Sequence, residues 1–138
     1  MRIAVIPARG GSKRIPQKNI KQFCGKPMIA WSIEAAKISG LFERIICSTD
    51  DEEIAFVARE FGAETPFLRP AELSGDHTGT IPVVAHAIKK LRNSKNKIDI
   101  VCCIYATAPF IQEIDLKHSL EQLEKEDANY CFAVTNFP

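Results

Sequence analysis

"RIAVIPARGGSKRIPQKN", residues 2–19, runs from a strand directly into a cationic loop. After Arg2, the residues Ile3, Ala4, Val5 and Ile6 are apolar and mostly β-branched, as a buried strand of a parallel sheet requires. The next twelve contain Gly10, Gly11 and the cations Arg9, Lys13, Arg14 and Lys18, with no carboxylate. In an open α/β sheet, ligands bind outside the carboxyl ends of the strands. A glycine-rich, acid-free loop at that place is therefore a candidate binding device.

The rest of the chain alternates in the same sense. Residues 28–39 have helical periodicity with Ile29, Ile33 and Ala36 on one face and Gly40 as a stop. Residues 44–49 form a second strand. Residues 50–62 form a helix that Asp50 is expected to cap, with Glu53 at capping-box spacing and Ile54, Val57 and Phe61 facing inward. An extended piece follows at 63–68, then a turn-rich loop at 69–80. The spacing predicts a helix over 80–92, with Thr80 as its cap, Pro82 in its first turn and Val84, Ala87, Ile88 and Leu91 on its buried face. Residues 98–106 are nearly continuous in apolar residues, as in a central strand covered on both sides. An amphipathic helix at 113–126 and a last strand at 129–137 complete the pattern. The β-α repeat implies an α/β fold, a mostly parallel sheet with right-handed crossovers and helices on both faces. The loop after the first strand, the turn 48–50, the loop 69–80 and the turn 105–110 should converge at one end.

With 138 residues the chain has material for one domain and one core. It is 46% hydrophobic and 25% charged with a net charge of +1, which argues against a dedicated nucleic-acid binder. Charge is distributed unevenly. Arg2, Arg9, Lys13, Arg14, Lys18, Lys21 and Lys26 all precede the first acid, Glu34. A local positive excess in a neutral chain points to a small polyanion. Cys24, Cys47, Cys102, Cys103 and Cys131 are an odd set without C-x-x-C spacing, and they are expected to be buried reduced thiols in a cytoplasmic protein. No apolar run approaches the roughly 20 residues of a membrane span. No signal-peptide pattern is present. The chain stops directly after its last expected strand, so a C-terminal truncation is anticipated.

Chemically, the 8–19 loop offers backbone N–H groups at Gly10, Gly11 and Ser12, a hydroxyl at Ser12 and charge from Arg9, Lys13, Arg14 and Lys18. That is equipment for phosphates. Neither G-x-x-x-x-G-K-[ST] nor G-x-G-x-x-G occurs. Asp50 and Asp51 are read as helix caps in preference to metal ligands. Asp76 and His77 are read either as ordering their loop or as touching a ligand. His86 and His118 are expected to be solvated or locally bonded in mid-helix, and Trp31 to serve in the core or an interface. No His/Cys cluster has zinc spacing.

"IPARGGSKRIPQKNI", "GKPMIAWSI", "STDDEEIA", "FLRPAELSGDHTGT" and "CCIYATAPF", in that order, resemble the successive motifs of the sugar-acid cytidylyltransferases. The resemblance covers nearly the whole chain. It implies a three-layer, Rossmann-like nucleotidyltransferase fold, incomplete at its C-terminal end, with residues 1–138 as the N-terminal portion of one nucleotide-binding domain. The implied reaction joins CTP and a nine-carbon sugar acid into a CMP-sugar and pyrophosphate, with Mg²⁺. It implies that Arg9 and Lys18 carry the catalytic charge. Arg9, Gly10, Gly11, Ser12, Lys13, Lys18 and Asn19 would line the nucleotide and its triphosphate. Arg69 and Thr80 would sit on the base or ribose side, and Tyr105 and Thr107 on the sugar side. In the sialic acid branch the last turn carries a glutamine and a proline where this chain has Tyr105 and Ala106, which favours pseudaminic acid as the sugar. The family's metal-binding aspartate and its dimerisation segment lie beyond residue 138. No metal ligand is therefore assigned within the chain, the full-length enzyme is expected to be a homodimer, and this chain alone to be weakly active or inactive. A nucleotidyltransferase for another sugar or base, a non-catalytic nucleotide-binding fragment, and a basic nucleic-acid module are the competing expectations, the last being the weakest.

Overall fold

The computed structural model describes residues 1–92 and 97–136. Its centre is β1 (Arg2–Pro7), in which Ile3, Ala4, Val5 and Ile6 are all fully buried. Parallel partners flank it: β4 (Arg44–Ser48) on one side and β5 (Ile100–Cys103) on the other. Ile3 pairs with Arg44 and Val101, and Val5 with Ile46 and Cys103. Between β1 and β4 the chain makes a two-stranded hairpin, β2 (Gln22–Phe23) and β3 (Lys26–Pro27). Its two-residue turn places Cys24 at φ 49 and Gly25 at φ 89, the left-handed pair that matches the twist of a tight hairpin.

Both faces of the sheet are covered because the strands alternate. Ala4, Ile6, Ile45 and Cys47 point toward Ile29 and Ile33 of α1 (Met28–Ser39), Ile54 of α2 (Glu52–Glu60) and Leu116 of α4 (Glu113–Lys125). Ile3, Val5 and Ile46 point the other way, onto Ala87 and Leu91 of α3 (Thr80–Leu91). Each fully buried isoleucine contributes about 1.5–3 kcal/mol relative to exposure. This is the expected α/β architecture with helices on both faces.

Local chemistry explains the helix ends. Gly40, at φ 67, closes α1 by donating its N–H to the Lys37 carbonyl. The cap of α2 is Asp51 and not Asp50. Asp51 is extended, and its Oδ1 accepts the N–H groups of Glu53 at 2.9 Å and Ile54 at 3.1 Å. Asp50 points elsewhere, into the end of the sheet. Thr80 is not a cap either. Gly79 holds that position without a side-chain bond, and Thr80 is the first helical residue. The buried residues of α3 are Val83, Ala87 and Leu91, with Val84 and Ile88 partly covered.

Three segments expected to be extended differ. The 63–68 piece reduces to one parallel bridge, Glu64 to Ile46, reinforced by Arg44 Nε donating to Glu64 Oε1 at 3.0 Å. Pro66, which has no N–H to offer a ladder, limits it. β5 is shorter than 98–106 and lies at the sheet edge among the described residues; Ile100, Val101 and Cys102 are half-buried and Cys103 is exposed. Residues 129–136 form no strand, and Tyr130, Phe132 and Val134 are exposed. Residue 137 lies outside the described residues. β-propensity without a partner edge produces no strand.

Of the cysteines, only Cys47 is fully buried, and burial pushes its thiol up to about 12. Cys102 is half-buried, and Cys24, Cys103 and Cys131 are exposed, contrary to expectation. Trp31 is half-buried, donates Nε1–H to the Phe23 carbonyl at 3.0 Å and lies under Lys26, so it anchors the hairpin to α1. His118 is exposed, whereas His86 stacks edge-on against Phe67 at 5.2 Å. No described helix is long and apolar enough to cross a membrane.

Candidate functional site

The carboxyl ends of β1, β4 and β5 open into a cleft of about 180 Å³. Its walls are Pro7, Arg9, Ser12, Lys18 and Asn19 from the loop after β1, Arg69 and residues 78–80 from the loop before α3, Val83 of α3, and residues 105–107 after β5. Three of the four segments expected to converge line it directly. The fourth, the turn after β4, stands behind two of its walls.

The loop after β1 is pinned from several sides. Asn19 is buried and donates Nδ2–H to the Arg9 carbonyl at 2.9 Å, while its own carbonyl accepts from Ile29 at the start of α1. Gly10 N–H donates to Asp50 Oδ1 at 3.0 Å. Ser12 N–H donates to the Gly10 carbonyl at 2.8 Å. Two of the three amides read as phosphate donors thus have partners within the protein. Neither Gly10 nor Gly11 has a positive φ. Gly10 is required for another reason: a Cβ there would meet Asp51 Oδ2 at 2.5 Å and Asp51 Cβ at 2.9 Å. Around Gly11 a Cβ would meet nothing within 4 Å.

Arg69 forms the floor. Its side chain is 4% exposed, and its N–H is held by the Thr49 carbonyl at 2.7 Å. Burial pulls its guanidinium below the ordinary arginine range, opposed by Asp50, whose Oδ1 stands 3.7 Å from Nη2. Among the described residues no acceptor hydrogen-bonds its buried Nε or Nη2. A buried cation with unfilled donors is costly unless a ligand or solvent meets them.

At the mouth, Asp76 ties the loop before α3 to the loop after β1. Arg9 Nη1 donates to Asp76 Oδ1 at 2.7 Å, and Lys13 Nζ binds Oδ2. These two cations hold the Asp76 carboxyl below the usual range. Asp76 therefore orders its loop, one of the two roles weighed from the sequence. Across the cleft, Thr80 Oγ1 and the Tyr105 hydroxyl are hydrogen-bonded at 2.9 Å. The Tyr105 carbonyl accepts from Ser32 Oγ of α1 at 2.8 Å, which fixes the turn after β5. Thr107 lines the cleft and is exposed.

Of the expected residues, Arg9, Ser12, Lys18, Asn19, Arg69, Thr80, Tyr105 and Thr107 are brought together. Lys13 reaches the rim through Asp76, and Gly10 and Gly11 form the loop behind it. Sequence reasoning missed Asp50 as the residue that connects Gly10 to Arg69, because a helix-start aspartate is most simply read as a cap. Among the described residues, no group of three or more His, Cys, Asp or Glu side chains could hold a metal ion. A larger cavity of about 470 Å³ lies outside this cleft, between residues 16–22 and α2. It presents one cation and one acid, Lys21 and Glu53.

A three-stranded parallel core with a cationic cleft at the carboxyl ends of its strands defines an α/β protein with a candidate site for a polyanionic ligand. Its backbone matches a solved structure of CMP:2-keto-3-deoxy-manno-octonic acid synthetase complexed with CTP, with a TM-score of 0.76 and 25% identity over 92% of this chain and 48% of that one. The cytidylyltransferase family model matches residues 3–137, and the chain belongs to that family. Pseudaminic acid cytidylyltransferase of Campylobacter jejuni is 47% identical over 135 residues, 98% of this chain and 58% of that protein. CMP-N,N'-diacetyllegionaminic acid synthase of Legionella pneumophila is 42% identical over 119 residues, 86% of this chain and 51% of that protein. The chain thus spans little more than half the length of these relatives.

Proposed function

We propose that residues 1–138 are the nucleotide-binding portion of an enzyme that transfers CMP from CTP to a nine-carbon sugar acid, with release of pyrophosphate. Pseudaminic acid is the favoured sugar. The observation that carries this reading is the convergence of Arg9, Lys18 and the buried, donor-rich Arg69 on one cleft at the carboxyl end of the sheet. The likeness to proteins named for cytidylyl transfer supplies the base and the sugar class.

The anomeric hydroxyl of the sugar attacks the α-phosphorus in line, and pyrophosphate leaves. The protein's task is to align the reactants and neutralise the charge that grows on the leaving group. Arg9 and Lys18 supply that charge, with Lys13, Ser12 and Asn19 along the triphosphate. Arg69 and Thr80 hold the base or ribose side. Tyr105 and Thr107 face the sugar. Mg²⁺ needs oxygen ligands, usually one or two carboxylates besides phosphates. Asp50 accepts the Gly10 amide and faces the buried Arg69, so it is assigned to the frame of the cleft and not to the metal. The protein ligands to Mg²⁺ are assigned to sequence beyond the span shared with the relatives. A homodimer in the cytoplasm is part of the same proposal.

Calorimetry of CTP binding tests it. Wild type is expected to prefer CTP over UTP and GTP, and Arg9→Ala and Lys18→Ala to bind it at least tenfold more weakly, as the loss of a charge-assisted bond implies. Unchanged affinity in both variants sinks the phosphate-loop assignment. Product formation from pseudaminic, sialic and N,N'-diacetyllegionaminic acids then decides the sugar.

A further inference from the structure

The cations of the cleft are of two kinds. Arg69 and Lys18 line it without sharing a close carboxylate bond, and Arg69 is deeply buried. Arg9, which also lines the cleft, and the exposed Lys13 share one carboxylate, Asp76, from a loop 67 residues after Arg9 in sequence. Arg9 and Asp76 are about one-third exposed and Lys13 is 82% exposed. Ion pairs with this much solvent around them are weak and exchangeable.

Carboxylate and phosphate oxygens use the same guanidinium and ammonium donors. A polyphosphate on Arg9 and Lys13 therefore competes with Asp76 for their hydrogen bonds and also meets its negative charge. We propose that Asp76 is an exchangeable internal counter-anion of the triphosphate site. It holds Arg9 and Lys13 in position across the mouth, yields them to the incoming polyphosphate, and recaptures them as pyrophosphate departs. Asp50 is the contrasting case, since it faces the buried Arg69 and the Gly10 amide and belongs to the frame. The inference rests on the nucleotide reading above and assigns Asp76 as a positioning residue that does not itself act on the reacting atoms.

The sign of the effect distinguishes this role from ordinary scaffolding. If Asp76 merely builds the loop, removing its charge weakens every ligand. If it competes with phosphates, removing its charge tightens the ligands that carry several of them. The test measures affinities of wild type, Asp76→Asn, Asp76→Ser and Asp76→Glu for CTP, GTP, cytidine and inorganic tripolyphosphate, without divalent cations at low salt. Asp76→Asn and Asp76→Ser are expected to bind CTP and tripolyphosphate about three- to tenfold tighter, as for the loss of two solvent-exposed competing pairs. Cytidine affinity is expected to be unchanged, and Asp76→Glu to resemble wild type. Equal or weaker polyphosphate binding by both uncharged variants overturns the exchange. With wild type still preferring CTP over GTP, that result leaves the cytidylyl reading standing. No preference for CTP over GTP, together with tighter tripolyphosphate binding by the variants, sinks the cytidylyl reading and keeps the exchange.

Discussion

Asp50 Oδ1 accepts the Gly10 N–H at 3.0 Å and stands 3.7 Å from Arg69 Nη2. One carboxylate at the end of β4 thus sets the loop after β1 and compensates the buried cation in the floor of the cleft. Asp50→Ala leaves Arg69 buried without its neighbour and frees the Gly10 amide. A loss of about 1–3 kcal/mol in urea unfolding is expected, as for a buried charged group left unpaired. CTP affinity should fall with it. Unchanged stability would show that solvent already serves Arg69.

Gly10 and Gly11 are expected to differ sharply. Gly10→Ala drives a Cβ to 2.5 Å from Asp51 Oδ2, the same oxygen-bearing side chain that caps α2. It should cost about 1–2 kcal/mol through the displaced cap and distort the loop. Gly11→Ala enters open space and should change stability by less than about 0.5 kcal/mol. Thermal denaturation of the pair decides it; equal effects would contradict the packing.

Asp51→Ala removes the acceptor for the Glu53 and Ile54 N–H groups. About 1 kcal/mol of stability should be lost, with the helical signal of α2 weakened at its first turn. Asp51→Ser should recover most of it, because serine caps nearly as well.

Tyr105→Phe breaks the hydroxyl pair with Thr80 but keeps the ring. On the function proposed above, the KM for the sugar acid should rise about two- to tenfold, the range of one hydrogen bond, with CTP affinity little changed. A rise in the Kd of CTP alone would place Tyr105 on the nucleotide side.

The buried Cys47 thiol, pushed up to about 12 by desolvation, carries a pH signature. Its folded-state value lies above the value of about 8.5 for a free thiol. The contribution is therefore fully present below about pH 8.5 and is lost as pH rises toward 12. Wild type should lose stability relative to Cys47→Ala by up to about 1.4 kcal/mol per pH unit in that window. Urea midpoints of both proteins from pH 7 to 11 measure the difference, and parallel curves would refute it. Thiol labelling of the native protein should reach Cys24, Cys103 and Cys131 and spare Cys47.

Much of this was legible in the linear chain. The apolar runs 3–6 and 45–47 specify parallel strands because alternate residues must be covered on two faces, and the four helices follow from their apolar spacing. The acid-free 8–19 loop was legible as a cationic segment, but its pairing of Arg9 and Lys13 with Asp76 was not, because that carboxylate comes from a distant loop. Helix starts were harder. Asp50 and Asp51 are equivalent by type, and only the backbone at Asp51, extended and aimed at Glu53 and Ile54, selects the cap. Residues 129–136 have strand composition but no strand, because pairing is a property of two segments and not of one.

The amino-acid sequence by itself determined the α/β order, the hydrophobic faces and the identity of the cationic loop, all of which depend on local periodicity and residue chemistry. Only the tertiary structure decided which charges meet. Asp76 lies 67 residues from Arg9, Asp50 lies 40 from Gly10, and Tyr105 lies 25 from Thr80. Such contacts arise where separate strands end side by side, and the electrostatics of the cleft depends on the distances between them, which no linear pattern encodes.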